Sequence, residues 1–465
     1  MSLKNLSIKK IQKMFEKNEL TSVEITEFYL GRIAKHNDKL NAIIEVNPDV
    51  LEIAFKMDQE RKNGKVRSPL HGVPFVIKGN IDTDDKMKTS AGALALKNNW
   101  AERDAHIVKL LRKAGAVLIG KANLSEFANF TSFDLPNGFS AVGGQTKNAY
   151  GDFDTGGSSS GSAVSVAADF CAFAIGTETS GSILSPASSS SCVGLKPTTG
   201  SISRTGIIPI SQTQDTAGPI TRTVEDSYLV FKEVVGYDKK DLRTSIAKDY
   251  NLKIIKEESF KNKKFGYNKQ IIDFLSDSQK ELWKETIKML EENGAEVIPF
   301  EYENIDKISN INVLFYEFKY GLNDYLKDKK VEVKTLTDVI KFNQLNKKAI
   351  PYGQSILLKS DSTSGYLTEK EYLESLLNDR KYSRKEGIDK IMAEFNLDAI
   401  ISPANFGAMV PAKAGYPSIT VPTGYSDKGP MGFTFTHKAG KEMKIIALAE
   451  LFEKMHEVRK LPEMK

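Results

Sequence analysis

Hydrophobic positions recur at helical spacing through the first seventy residues. Ile25, Tyr29 and Ile33 lie four apart behind Thr21 and Glu24, a spacing that predicts a reciprocal N-terminal capping box. The texture changes at Val73, where Val73-Pro74-Phe75-Val76-Ile77 forms a short run of β-branched and aromatic residues ending on Lys78. A helical pattern over 106–113 then stops at Gly115 and leads into the strand-like Ala116-Val117-Leu118-Ile119. Strand-like runs of the same kind recur at 172–175, 297–300, 397–401 and 418–421. Helices alternating with such runs predict α/β layering.

The segment 240–390 reads differently. It is rich in lysine and glutamate, poor in glycine and mostly helical in pattern, with a stripe of Trp283, Ile287 and Leu290 closed by Asn293-Gly294. Its texture is that of an insertion or cap beside the main layer. No repeat of solenoid period occurs. The expected architecture is one α/β domain over 1–465, a mixed central β-sheet covered by helices on both faces. Within it, 1–70 supplies N-terminal helices, 71–235 the core, 240–390 an embedded helical insertion, and 391–465 returning core strands and a helix.

Composition narrows the class. Of 465 residues, 40% are hydrophobic and 27% charged, the balance of a globular protein with ample core. The formal net charge is only +5, without a dense Lys/Arg block carrying interleaved aromatics, which argues against nucleic acid as the partner. Lys62, Lys65 and Arg67, and the pair Lys347-Lys348, read as solvated surface. Cys171 and Cys192 cannot staple a chain this long and lack the histidines of a zinc site, so a reducing cytoplasm is the expected compartment. Residues 1–19 lack the apolar stretch of a signal peptide, and nothing approaches the roughly 20 apolar residues of a membrane span.

The most unusual chemistry lies at Thr155-Gly156-Gly157-Ser158-Ser159-Ser160-Gly161-Ser162. Composition alone suggests a flexible linker. Its flanks argue otherwise: a small-residue helix, an apolar strand and a second turn, Thr179-Ser180-Gly181-Ser182-Ile183, follow directly. Two short patterns compete. Gly157-Ser158-Ser159-Ser160-Gly161 fits the G-x-S-x-G elbow, but no apolar strand precedes it, and only His437 and His456 lie downstream to act as base. Residues 115–122 fall one substitution short of a phosphate-binding loop, with Ala122 where the hydroxyl belongs, and the supposed loop is itself apolar. Both patterns are rejected.

Four stretches together resemble the amidase signature family: His71-Gly72-Val73-Pro74-Phe75-Val76-Ile77-Lys78-Gly79-Asn80-Ile81; the run 156–163; Gly176-Thr177-Glu178-Thr179-Ser180-Gly181-Ser182-Ile183; and Gly194-Leu195-Lys196-Pro197-Thr198. Asp215-Thr216-Ala217-Gly218-Pro219 and Ala414-Gly415-Tyr416-Pro417 are also family-like. The resemblance implies a Ser–Ser–Lys triad, with Lys78 as base, Ser158 as bridging serine behind a cis Gly157–Ser158 peptide bond, and Ser182 as nucleophile. A lysine serves as base only when neutral, so Lys78 is expected to be buried. The backbone N–H groups of Thr179, Ser180, Gly181 and Ser182 are the implied oxyanion donors. Neither metal nor organic cofactor is implied.

Within the family, the chain departs from the amidotransferase A-type subunit that serves glutaminyl-tRNA. That subunit usually reads Asp-Thr-Gly-Gly-Ser-Ile-Arg where this chain carries Glu178, Ser180 and Leu184. The runs 123–130, 143–148 and 214–219 are similar to the peptide amidase branch, which takes C-terminal peptide amides. The residues 188–192 depart from the family's usual small-residue turn, and Cys192 reads as a packing thiol. The expectation is therefore an amidase that releases ammonia from a small-molecule or peptide amide, as a monomer or homodimer. The alternative is the glutamyl-tRNA(Gln) amidotransferase component of A type.

Overall fold

The computed structural model describes residues 3–309 and 311–464. Among these, eleven strands build one mixed sheet: β1 (Ile43–Val46), β2 (Pro74–Lys78), β3 (Val117–Ala122), β4 (Phe173–Glu178), β5 (Val193–Lys196), β6 (Thr216–Thr221), β7 (Lys264–Asn268), β8 (Glu296–Phe300), β9 (Ala399–Pro403), β10 (Ser418–Ser426) and β11 (Gly429–Thr436). Their order across the sheet is β1-β3-β2-β4-β6-β5-β10-β11-β9-β7-β8. β2 runs parallel to both β3 and β4, whereas β4, β6, β5, β10, β11 and β9 pair antiparallel in turn.

The unbroken apolar runs have a structural reason. Every residue of β2, β3 and β4 is buried. Successive side chains on a strand point to opposite faces, so both faces at the centre of the sheet are covered. The helix Ser160–Ala167 packs on β2, β4 and β6, and the helix Glu442–Met455 packs on β10 and β11. Within 115–122 the residues Val117–Ala122 form β3, and a side chain at Gly120 would place its Cβ 2.3 Å from the Glu45 carbonyl of β1. That glycine answers to strand proximity, not to phosphate.

The N-terminal helices Ile8–Glu16, Ser22–Leu40 and Val50–Lys62 form where the spacing predicts, and Thr21 and Glu24 make the reciprocal cap. Sequence reasoning missed β1, a four-residue strand that follows Asn41 in left-handed conformation (φ 48°). The segment 240–390 holds more sheet than its texture announces. β7, the helix Asp277–Glu292 and β8 form a parallel unit at the sheet edge, with Trp283 stacked on Phe433 of β11 at 5.4 Å. The helices that follow, Asn312–Leu326, Leu336–Leu345, Ser355–Asp361 and Lys370–Ser383, gather their own apolar cluster, including Phe315 and Phe318 against Phe127 and Phe130 of the core segment. No helix among the described residues is long and apolar enough to cross a membrane.

Candidate active site

Three pieces of chain converge at the C-terminal ends of β2 and β4. Their parallel register pairs Ile77 with Ile175, which brings Lys78 beside Thr177. The Lys78 side chain is fully buried, and its Nζ donates to Ser158 Oγ at 2.8 Å, Thr177 Oγ1 at 2.9 Å and the Thr177 carbonyl at 3.1 Å. Loss of hydration pushes this ammonium down to about 7, with Asp215 and Glu178 opposing the shift through their charge. Asn80 Nδ2 completes the Thr177 Oγ1 environment at 3.1 Å.

Ser158 follows a cis peptide bond from Gly157. A Cβ on Gly157 would sit 2.4 Å from Asn137 Oδ1, and one on Gly161 would sit 2.4 Å from the Ala42 carbonyl. The glycine- and serine-rich run is therefore packed on all sides, the opposite of a linker. Ser159 stitches it to β4: its Oγ donates to the Thr177 carbonyl at 3.0 Å and accepts the Thr177 N–H at 3.2 Å. The Ser159 N–H donates to the Ser182 carbonyl at 3.1 Å.

Ser182 lies in the turn after β4 and is 8% exposed. The turn is wound around a buried carboxylate. Glu178 accepts the N–H of Gly181 at 2.8 Å, of Ile183 at 2.7 Å and of Leu184 at 3.0 Å. The backbone reverses at Gly181 with φ of 80°, a region that glycine enters without steric cost. Thr179 is fixed on two sides, its Oγ1 donating to Asp215 Oδ1 at 2.5 Å and its carbonyl accepting from Gln214 Nε2 at 3.3 Å. Asp215 also accepts the N–H of Ile210 and of Ser211, both at 2.8 Å, and burial pushes its carboxyl up to about 6.

The expected site residues are thus placed as follows. Lys78 and Ser158 are in direct contact. Ser182 joins them through the backbone of Ser159, and among the described residues no hydrogen bond links its hydroxyl to Ser158. Thr179 and Ser180 lie on the turn, with Ser180 exposed. The Gly181 N–H is directed at Glu178, while Thr179, Ser180 and Ser182 carry the other N–H groups of the turn. Sequence reasoning missed the anchoring role of Glu178, which it treated only as a departure, and the contacts of Thr177. Neither downstream histidine reaches this region: His437 Nδ1 accepts the Lys438 N–H, and His456 Nε2 lies 2.9 Å from the Thr423 carbonyl. The turn at 188–192 is filled by contacts of its own, with Ser188 Oγ accepting the Gly432 N–H at 2.8 Å.

A cleft of about 450 Å³ opens beside the site, lined by Asn80, Thr177, Thr179 and Asp215 on the core and by Tyr320 and Asp324 on the helix Asn312–Leu326. Its walls include neither serine, so it meets the site at the Thr177–Thr179 end of the turn.

A fully buried lysine thus meets a serine beside a turn built around a carboxylate, and a cleft adjoins them. The Amidase family matches residues 24–412, and the chain belongs to it, as an amide-hydrolysing enzyme. It is 41% identical to a probable amidase of Arabidopsis thaliana, over 99% of this chain and 92% of that protein. The native peptide amidase of Stenotrophomonas maltophilia superposes with a TM-score of 0.93 at 37% identity, covering 99% of both chains. The A-type component of the glutamyl-tRNA(Gln) amidotransferase of Thermoanaerobacter pseudethanolicus is 30% identical over 100% of this chain and 99% of its own.

Proposed function

We propose that the protein hydrolyses the amide of a C-terminally amidated peptide through an acyl-enzyme on Ser182. The observation that carries this reading is Lys78, fully buried, 2.8 Å from Ser158 and titrating near neutrality. In its neutral form Lys78 accepts the Ser158 proton while Ser158 accepts that of Ser182, and the Ser182 oxygen attacks the carbonyl. The tetrahedral oxyanion is received by N–H groups of the Thr179–Ser182 turn, where one donor is typically worth about 3 kcal/mol. The relay then runs backwards, protonating the departing nitrogen as ammonia leaves. Water, activated by the same relay, releases the carboxylate. Likeness to the peptide amidase supports the substrate class, and the cleft provides room for the residues preceding the amide.

The test combines a fluorophosphonate probe with ammonia release from amidated dipeptides. Wild type is expected to label and turn over, Ser182→Ala to do neither, and Lys78→Ala to lose turnover. Labelling of Ser182→Ala at the wild-type rate refutes the nucleophile assignment. The 30% identity to an amidotransferase component supports a second reading, in which glutamine is the ammonia source and a partner protein is required. Glu178, Ser180 and Leu184 stand against it, and glutaminase activity that appears only on adding a partner would establish it.

A further inference from the structure

Away from the cleft, four cations surround a small opening: Arg243 in the 3-10 helix Leu242–Ala247, Arg380 near the end of Lys370–Ser383, Arg384 just beyond it, and Lys413 in Met409–Ala414. Thr213 and Gln214 form its remaining polar wall, and Asp379 is its one lining carboxylate. Asp379 is already engaged by the Ser309 N–H at 2.6 Å and the Ser309 hydroxyl at 2.8 Å. Lys413 Nζ lies 2.9 Å from Asp379, yet it is buried and makes no hydrogen bond of good geometry. Among the described residues the guanidinium groups of Arg243 and Arg380 have neither a hydrogen-bond acceptor nor an ion-pair partner. Arg384 donates its Nε to the Ala414 carbonyl at 2.8 Å and lies over the Tyr416 ring. The carboxylates further out are committed elsewhere: Asp241 to Arg204, Glu317 to Ser211, Thr213 and Tyr372, and Asp389 to Tyr416.

Four positive charges against one shared carboxylate repel one another in a partly dry site. The Arg243 guanidinium is held below its ordinary value by burial first and then by Arg384, Arg204 and Arg380. Such a cluster is stabilised by a counter-charge that can accept several N–H donors at once. A second observation points the same way. Gln214 Oε1 is buried without a partner, its Nε2 being spent on the Thr179 carbonyl. A partly protonated oxyanion supplies both acceptors for the cations and the missing O–H donor.

We propose that this opening is an oxyanion-binding site that takes hydrogen phosphate, either as the free ion or as the head group of a phosphate monoester. The opening is small, and any ester substituent must project past the exposed Arg380. The bound anion joins the helical segment 370–388 to the core immediately behind Gln214.

The test is thermal unfolding of the full chain at pH 7 with inorganic phosphate or phenyl phosphate, ionic strength being held constant with chloride. A saturable rise in Tm of about 2 °C is expected from phosphate. The same rise with phenyl phosphate identifies an ester head group as the ligand, and a rise with inorganic phosphate alone identifies the free ion. The double variant Arg243→Gln/Arg380→Gln is expected to lose the rise. In phosphate-free, low-salt buffer this variant is expected to unfold at or above the wild-type temperature, because like-charge repulsion is relieved. No rise with either probe, a rise that survives in the double variant, or a double variant several degrees less stable without phosphate would each overturn the proposal.

Discussion

On the proposed mechanism, Lys78 couples chemistry to stability through one proton. Its ammonium titrates near 7 in the folded chain and at the ordinary lysine value near 10.5 when unfolded. Below pH 7 both states are protonated and burial of the charge is most costly. As pH rises toward 10.5 the unfolded chain also loses its proton, and the cost fades. At pH 7 it amounts to on the order of 4 kcal/mol. Two expectations follow for this residue. Turnover at subsaturating substrate should climb about tenfold per pH unit up to a pKa near 7 and then level. Lys78→Met should remove activity and should gain stability relative to wild type most at pH 6 and least at pH 10, although at every pH it removes one of the two donors to Thr177 Oγ1. Unfolding temperatures of the two proteins across that range decide it; a difference that does not vary with pH would show that Lys78 is not the titrating group.

At the scale of the element, the turn after β4 depends on Glu178. Its carboxylate accepts three N–H groups that otherwise face a buried interior. Glutamine keeps the shape but turns an N–H₂ toward donors, losing charge-assisted bonds worth roughly 1.5–3 kcal/mol. Glu178→Gln is therefore expected to lower kcat by about 10- to 100-fold with a smaller change in KM, since the turn that presents Ser182 loosens while the cleft lined by Thr177 and Tyr320 stays intact. Steady-state kinetics on one amidated dipeptide measures it, and a loss confined to KM would assign Glu178 to binding. Elements themselves were legible wherever local signals were strong: the Thr21–Glu24 cap, the stop at Gly115 and the fully apolar β2, β3 and β4. β1 was not, because four residues behind a left-handed asparagine carry too little pattern. β7 was not, because Lys264-Phe265-Gly266-Tyr267-Asn268 sits in lysine-rich surroundings and becomes a strand only between β8 and β9.

For the whole molecule, the helical segment supplies one wall of the cleft and the core supplies the other. Tyr320 stands on that wall, 40% exposed, away from the Lys78–Ser158 contact. Tyr320→Ala is expected to raise KM for amidated peptides by about tenfold and to leave kcat for a minimal amide such as acetamide unchanged. Equal losses on both substrates would remove the helical segment from substrate recognition. The same comparison of long and short amides, made on the protein alone, also separates an independent amidase from one component of a larger amidotransferase.

What the sequence by itself determined is the chemistry on offer: a lysine closing an apolar strand, serines set among glycines, and a matching order of stretches that resembles the amidase signature. Those features are local, carried by residue type and spacing. What only the tertiary structure decided is which donors and acceptors meet. The β2–β4 register puts Lys78 against Thr177 and Ser158, residues 99 and 80 positions away. The folding of Glu178 beneath its own turn directs the Gly181 N–H at its carboxylate, and the packing of three distant segments gathers Arg243, Arg380, Arg384 and Lys413. Hydrogen-bond partners separated by tens to hundreds of residues leave no periodic trace along a chain, because their pairing depends on strand order and burial rather than on neighbours in sequence.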